Sequence, residues 1–383
     1  MNIPEEFDAI RPWEPEDLPD VYDRLLSDEQ FQQIVSSLFP QVPKEVMAQK
    51  LHSCRTSLDF QLAFIYDFVK NLMSKASLGF DMDSSLLDHT KNYTFISNHR
   101  DIVLDSALLD VMLVDAKFTT TCEIAMGDNL LKAPWIKDLA RLNKAFLVER
   151  GLPMRQMLMA SKRLSEYMHF SIREKKENIW IAQREGRAKD SNDRTQEAIL
   201  KMMVMGGQGS IIDRLVDLHL VPLSISYEFD PCDFLKAKEF QQKRDIEGWN
   251  KGPTDDLVSM QTGLMGYKGH VHYHCSSCLD EYLRTLDPFM PKAELFKMIA
   301  EHIDKEIHLH YYFYPSNYVA YDELNSLTMF SDKYTVEQKN QFDQYLDGQL
   351  IKIDLQNKDN DFLRERMLTM YSYPLKNYLE AIK

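Results

Sequence analysis

Between residues 90 and 230, short apolar segments alternate with longer helical patterns, and this alternation constrains the fold more than any other feature of the chain. The predicted strands are Tyr93–Ser97, Thr119–Met126, Lys144–Glu149, Asn178–Gln183 and Leu218–Tyr227. Helical patterns lie between them near residues 105–115, 153–176 and 193–206. Strands separated by helices are typical of a parallel sheet with helices on both faces. The predicted fold class is therefore α/β, with a central mostly parallel sheet flanked by helices.

The segments on either side of this region have a different character. Residues 1–85 have apolar side chains at helical spacing, such as Phe60, Phe64 and Phe68. Residues 231–383 mix strand and helix patterns. We therefore predict three parts: a helical N-terminal region (1–85), an α/β domain (86–230) and a C-terminal α/β extension (231–383).

The composition narrows the class of protein. The chain has 383 residues, of which 44% are hydrophobic and 27% charged, and its net charge is −14. That charge disfavours nonspecific binding to nucleic acid or to an anionic membrane surface, and it leaves room for local basic patches. Five cysteines scattered along so long a chain are typical of a reducing compartment, so we expect a cytoplasmic protein.

The first predicted strand ends in a polar loop with the residue types of acid–base catalysis. The loop places His99 near two carboxylates, Asp101 and Asp105, and an apolar helical run follows it. A carboxylate that fixes the tautomer of a histidine and stabilises its protonated form makes that histidine a general base. The alternative is that the aspartates only cap the following helix, because Asp is a common capping residue. This segment alone leaves both interpretations open.

Four segments, taken in order, resemble the four sequence blocks of the glycerophospholipid acyltransferases. The first block of that family is Asn-His, four further residues and Asp. Asn98 and His99 match its start, but Asp105 comes one residue later than the pattern requires, and Asp101 is the alternative partner. The second block is similar to Ala145–Arg150, in which Arg150 matches the arginine that holds the acceptor phosphate in the family. The alternative for this second segment is an ordinary surface Glu-Arg pair at a strand end.

The third and fourth blocks follow in the same order. The family sequence Phe-Pro-Glu-Gly-Thr-Arg is similar to Ala182–Arg187, where Glu185 and Gly186 align directly and Arg187 falls near the family arginine. The fourth block, a buried strand with Val-Pro, is similar to Leu220–Ile225. Each segment is a weak signal by itself, and the resemblance rests on their shared order.

The resemblance implies an enzyme that transfers a fatty acyl group from an acyl-carrier-protein or coenzyme A thioester to the hydroxyl of glycerol-3-phosphate, lysophosphatidate or a related lipid. It implies His99 as general base, oriented by Asp105. The implied substrate-binding residues are Asn98, Arg150, Glu185, Gly186 and Arg187. No cofactor and no metal are implied. The expected partners are the thioester donor and the lipid acceptor, with peripheral contact at the inner face of a membrane and no nucleic acid.

A second function class rests on a histidine- and cysteine-rich segment. These residues are of the types that bind zinc: His270, His272, His274, Cys275 and Cys278. The chain would then be a zinc-binding or scaffolding protein. Against this, the three histidines alternate along a predicted strand and span about 13 Å, which is too far for one tetrahedral ion without distortion.

Overall fold

The computed structural model of the protein describes residues 3–38 and 41–383. Within these residues, one sheet of seven strands has the order β1-β7-β6-β2-β5-β3-β4. In chain order, the strands are Gly79–Asp83 (β1), Thr94–Ser97 (β2), Cys122–Gly127 (β3), Ala145–Val148 (β4), Asn178–Ala182 (β5), Leu220–Tyr227 (β6) and His270–Cys275 (β7). Strands β2 to β6 all run in one direction, and the pair β1 and β7 runs in the other. The predicted mostly parallel sheet is confirmed.

The central strands are buried on both faces, which explains their almost continuous apolar sequences. Alternate residues enter two different cores. Ile96 of β2 and Ile181 of β5 pack into the larger core, on one face of the sheet. Phe95 and Trp180, their neighbours in the same strands, pack into the core on the other face.

Helices cover both faces of the sheet between the strands. Within the parallel part they are Leu104–Asp115 (α6), Pro134–Leu142 (α7), Met154–Phe170 (α8), Glu197–Met203 (α9) and Ile211–Val216 (α10). Helix α6 contributes Leu108 and Leu109 to one core, and α8 contributes Tyr167 and Met168 to the other. The predicted helices flanking the sheet are therefore present.

The N-terminal region is helical, as predicted, up to residue 76. Its helices are Leu18–Ser27 (α1), Glu29–Leu38 (α2), Lys44–Ser53 (α3), Ser57–Phe60 (α4) and Tyr66–Ala76 (α5), and a π-helical turn at Gln61–Ile65 joins the last two. Strand β1 corrects the prediction for the end of this region, because residues 79–83 add an edge strand to the sheet. The alternation of Phe80 and Met82 with two aspartates is typical of a strand. The strand is only five residues long, so the pattern is short.

The C-terminal extension also joins the central sheet. It supplies β7 and the helices Asp233–Asp245 (α11), Asp255–Met265 (α12), Asp280–Thr285 (α13), Lys292–Leu309 (α14), Pro315–Asn325 (α15), Val336–Ile351 (α16) and Asn360–Ala381 (α17). Helix α14 packs on the sheet through Ile299 and Ile303. Helices α15, α16 and α17 pack mainly on one another in a separate core. The proposed boundary at residue 230 stays a prediction.

No helix among the described residues is both long enough and apolar enough to cross a lipid bilayer.

Candidate active site

The segments that carry the predicted site residues all follow the carboxyl ends of parallel strands. His99 lies two residues beyond β2, and Glu185–Arg187 follow β5. These two strands are hydrogen-bonded neighbours, with Ser97 opposite Ala182 in the register. Arg150 follows β4 at the same edge of the sheet. In open α/β sheets, ligands bind beyond these carboxyl ends, so the fold brings the predicted residues to a suitable place.

His99 and Asp105 are in direct contact. Nδ1 of His99 lies 2.8 Å from Oδ2 of Asp105. The same oxygen accepts hydrogen bonds from the backbone N–H groups of Arg100 and Asp101, at 2.6 and 3.0 Å. The Asp105 carboxylate is fully buried, and its other oxygen has no hydrogen-bond partner among the described residues. The carboxylate therefore fixes the Nδ1–H tautomer and leaves Nε2 of the imidazole as the proton acceptor.

The other aspartate in the loop has a structural role. Oδ1 of Asp101 accepts hydrogen bonds from the backbone N–H groups of Val103 and Leu104, where α6 begins. Burial, and then the nearby Asp105 carboxylate, raise the pKa of Asp101 above its usual value. The extra residue in the loop is thus absorbed before the helix, and Asp105 in the first turn still reaches His99. Of the two candidate partners, the structure places Asp105 against the histidine.

Asn98 holds the loop on the neighbouring strand. Its side-chain nitrogen donates to the carbonyl of Ile225 at 2.9 Å, and its side-chain oxygen accepts from the N–H of Ile225 at 2.8 Å. The side chain is fully buried. These contacts indicate a positioning role for Asn98 rather than the substrate contact predicted from the sequence, because both amide atoms are already paired.

Arg150 and Glu185 form an ion pair at the rim of the site. Nη1 of Arg150 lies 3.0 Å from Oε1 of Glu185, and both side chains are exposed to solvent. An exposed pair of this kind is worth little, about 0–1 kcal/mol, so an anionic ligand could displace the carboxylate from the arginine. The pair joins the second and third sequence blocks in space. Gly186, next to Glu185, has φ +66°, a conformation that glycine adopts without strain.

Arg187, two residues after Glu185, is half-buried and partly unpaired. Its Nη1 is buried and has no hydrogen-bond partner among the described residues. Burial by itself would raise the pKa of Asp230, but the Lys236 ammonium, and after it the Arg187 guanidinium, hold that pKa below its usual value. Arg187 also opposes the rise in the pKa of Asp101. The guanidinium therefore lies near two buried carboxylates, and its Nη1 has no protein partner among the described residues.

A buried ion pair behind His99 was not predicted from the sequence. The guanidinium of Arg100 bonds both carboxylate oxygens of Asp193, at 3.3 and 2.6 Å, and both side chains are buried. Tyr311 donates its hydroxyl to the same carboxylate at 2.6 Å, and His308 donates to the Asp193 carbonyl. The pair ties the catalytic loop to the segment that follows β5. Its partners are 93 residues apart in sequence, so no local pattern indicates it.

Asp193→Ala is expected to lower the free energy of unfolding by about 3–5 kcal/mol, because Arg100 would be left buried without a counter-charge. Denaturant unfolding of the purified variant measures this change. The matched control is Glu197→Ala, which removes an exposed pair with Lys201 a few residues further along the chain. We expect that control to lose less than about 1 kcal/mol. Equal losses in the two variants would show that the Arg100 pair does not stabilise the fold.

The histidine-rich strand does not bring the five residues of the alternative zinc site together. His270 and His272 of β7 both contact Asp81 of β1, and His274 faces Asp83. The last residue of β7, Cys275, faces the opposite side of the sheet, inside a core. Among the described residues, the group able to converge on one ion is His219, Cys278 and Asp280, which shares only Cys278 with the predicted set.

The fold is an α/β sheet with a histidine–carboxylate pair at its carboxyl edge, and comparison with known proteins adds a family match. Residues 82–226 match the family model described as Acyltransferase, a range that contains all four sequence blocks. This match, over part of the chain, confirms the resemblance seen in the sequence.

Comparison with solved structures gives several matches, one of them the following distant similarity. A solved structure of the 1-acyl-sn-glycerophosphate (LPA) acyltransferase, PlsC, from Thermotoga maritima is similar to this chain with 14% sequence identity and a TM-score of 0.38. The similarity covers 75% of this chain and 93% of that one. No curated protein matches the chain at a significant level.

Proposed function

We propose that this protein is a glycerolipid O-acyltransferase. It transfers a fatty acyl group from an acyl-carrier-protein or coenzyme A thioester to a hydroxyl of glycerol-3-phosphate, lysophosphatidate or a related lipid. The observation that carries the proposal is the pair of His99 and Asp105, 2.8 Å apart, at the same sheet edge as an arginine with an unpaired nitrogen. The acyltransferase family match supports the reaction class.

The proposed reaction is direct acyl transfer. Nε2 of His99 removes the proton from the acceptor hydroxyl as its oxygen attacks the thioester carbonyl carbon. A new C–O bond forms, the C–S bond breaks, and the departing sulfur takes the proton back from the imidazolium. Asp105 stabilises the imidazolium between these steps because its carboxylate already bonds Nδ1. Binding both substrates at one edge supplies the proximity that the reaction needs, and no covalent enzyme intermediate is required.

The proposed acceptor is an anion held by Arg150 and Arg187. Guanidinium groups bind phosphate through paired hydrogen bonds, and these two arginines lie in the loops that follow β4 and β5 at one edge of the sheet. Arg187 already has a free buried nitrogen, whereas Arg150 must first leave Glu185. Glu185 and Gly186 would then shape the rim of the same pocket. Arg187 is therefore proposed as the main phosphate ligand.

Arg187→Ala and Arg150→Ala are expected to raise the apparent KM for the acceptor by about tenfold or more, with the larger change for Arg187. The KM for the thioester should change little, because neither arginine is proposed to contact the donor. Initial rates over a range of both substrates separate the two effects. The control is Arg173→Ala. Arg173 is exposed, pairs with Asp217, and precedes β5 at the other end of the sheet. If neither variant changes the acceptor dependence, the acceptor is not held by these arginines and an uncharged one becomes the better proposal.

The function itself is tested with labelled thioester donors and a panel of acceptors. Palmitoyl-coenzyme A and palmitoyl-carrier protein would each be offered glycerol-3-phosphate, lysophosphatidate, lysophosphatidylcholine and an N-acyl amino acid with a hydroxyl. We expect an ester product with at least one phosphate monoester acceptor. Labelled product only with the amino-acid lipid would keep the enzyme class but overturn the acceptor. No labelled ester with any pair, from folded protein, would contradict the proposal.

The place of action is also a proposal. We propose a cytoplasmic protein that meets its lipid substrate as a peripheral protein at the inner face of a membrane. The chemistry supports this, because the donor thioesters are water-soluble or carrier-bound and the acceptor is a lipid.

A further inference from the structure

The beginning of helix α8 is exposed on all sides. Residues 153–159 are exposed, and they carry a run of large apolar side chains: Met154 at 88%, Met157 at 48%, Leu158 at 63% and Met159 at 67% relative exposure. The helix enters the core only further along, through Leu164 and residues beyond it. The first turns of α8 therefore leave these apolar side chains largely open to solvent. Exposed apolar groups of this size mark interaction surfaces.

The position of these turns relative to the site is fixed by the fold. Helix α8 starts four residues after Arg150, so its first turns lie at the sheet edge that carries His99. A second exposed apolar segment lies near the same edge on α12, which carries Leu257 and Met265. Helix α12 packs at the site through Gly263, where an added Cβ would meet the Asp101 carboxylate. The two exposed segments therefore both lie beside the candidate active site.

The charges near the start of α8 are positive, although the chain as a whole is negative. Residues 150–163 contain two arginines besides Arg163, and one lysine, with no aspartate or glutamate. Arg150, Lys162 and Arg163 pair with Glu185, Glu166 and Glu149, whereas Arg155 makes no hydrogen bond or ion pair with a described residue. A cation next to exposed methionines and leucine suits the boundary between anionic headgroups and acyl chains. The local charge is notable against a net charge of −14.

We infer that the start of α8, residues 153–159, docks on an anionic lipid bilayer and brings the candidate active site to the membrane surface. This inference rests on the proposed function, because a lipid acceptor must be taken from a bilayer. Three flexible methionines and a leucine adapt to a fluid surface. The exposed side chains of these turns are mainly apolar, with Arg155 as the one cation, so they offer insertion among acyl chains more than charge contacts to a folded acidic carrier protein. The lipid surface is therefore the occupant that the side chains fit.

The test measures binding of the full chain to vesicles by sedimentation. The vesicles contain phosphatidylglycerol with phosphatidylethanolamine, or phosphatidylcholine alone. We expect the natural chain to bind the anionic vesicles at least about tenfold more tightly, and Met154→Glu/Leu158→Glu to lose at least about tenfold of that binding. The matched control is Val336→Glu/Ile351→Glu, which changes two exposed residues at the ends of α16. Thermal unfolding confirms that both double variants are folded.

Three results overturn the inference. They are equal vesicle binding by the natural chain and the α8 variant, no vesicle binding by the natural chain, and loss of carrier-protein binding in the α8 variant with vesicle binding intact. The last result would assign the surface to the acyl donor.

A second readout separates this inference from the proposed function. Acyl transfer to a short-chain acceptor dissolved as monomers should be the same in the natural chain and the α8 variant, whereas transfer to an acceptor embedded in vesicles should fall in the variant. If no transfer occurs with any substrate while the variant still loses vesicle binding, the proposed function fails and the docking surface stands. If transfer from solution and from vesicles is unchanged in the variant, the docking surface fails and the function stands.

Discussion

His99→Ala is expected to reduce acyl transfer by about 10²- to 10⁴-fold, the usual contribution of a general base. The variant removes Nε2, the only proposed proton acceptor for the acceptor hydroxyl. The fold should survive, because the Asp105 oxygen that bonds His99 also accepts two backbone N–H groups. Initial rates at saturating donor and acceptor measure the loss.

The control for this variant is His219→Ala, a partly exposed histidine that is hydrogen-bonded to Asp280 and precedes β6 at the opposite end of the sheet. Its activity should stay close to that of the natural protein. Thermal unfolding checks that both variants are folded. A folded His99→Ala protein with normal activity would end the proposed mechanism.

Asp105→Asn should reduce activity by about 10²-fold or more, while Asp101→Asn should reduce it only a few-fold. An amide at position 105 removes the negative charge that stabilises the imidazolium, and its nitrogen cannot accept the Nδ1–H. At position 101 the side chain caps α6 through one oxygen, which asparagine keeps. Burial and the Asp105 carboxylate already raise the pKa of Asp101, so a neutral replacement there costs less.

The comparison of these two aspartates is its own control, because both are buried in the same loop. The measurement is the activity of each variant, with the free energy of unfolding recorded beside it. The reverse ranking, with Asp101→Asn the more damaging change, would show that the wrong carboxylate has been assigned to His99.

The contact between His99 and Asp105 could be predicted because it is local. A polar loop between an apolar strand and an apolar helix brings two residues six positions apart into contact. The one extra residue in this loop changes only the position at which the helix begins. For Arg150 and Glu185 the sequence predicts only that they lie at the same edge of the sheet, because parallel strands end there. Their ion pair depends on side-chain directions that the sequence does not specify.

Other parts of the site depend on contacts between distant segments. The local sequence around Asp193 does not indicate its role. Its hydrogen-bond partners are Arg100 and Tyr311, and Tyr311 is 118 residues further along the chain. The histidines of β7 suggested a metal site because their residue types are correct for zinc. Their alternation along a strand keeps the histidines apart. His270 and His272 instead pair with Asp81 of β1, a contact that depends on the pairing of β1 with β7.

Strand β7 has a further consequence for the behaviour of the chain in solution. The family match ends within β6, an eight-residue strand that is buried along its whole length. If β6 were the border of the sheet, its free N–H and C=O groups would offer a template on which a second copy could add a strand. The antiparallel pairing with β7 occupies those groups, and β1 then closes the border with a short strand containing two aspartates. Strand β7, from the C-terminal third, thus covers β6, and the two aspartates of β1, from the N-terminal region, supply charges that would repel an incoming strand.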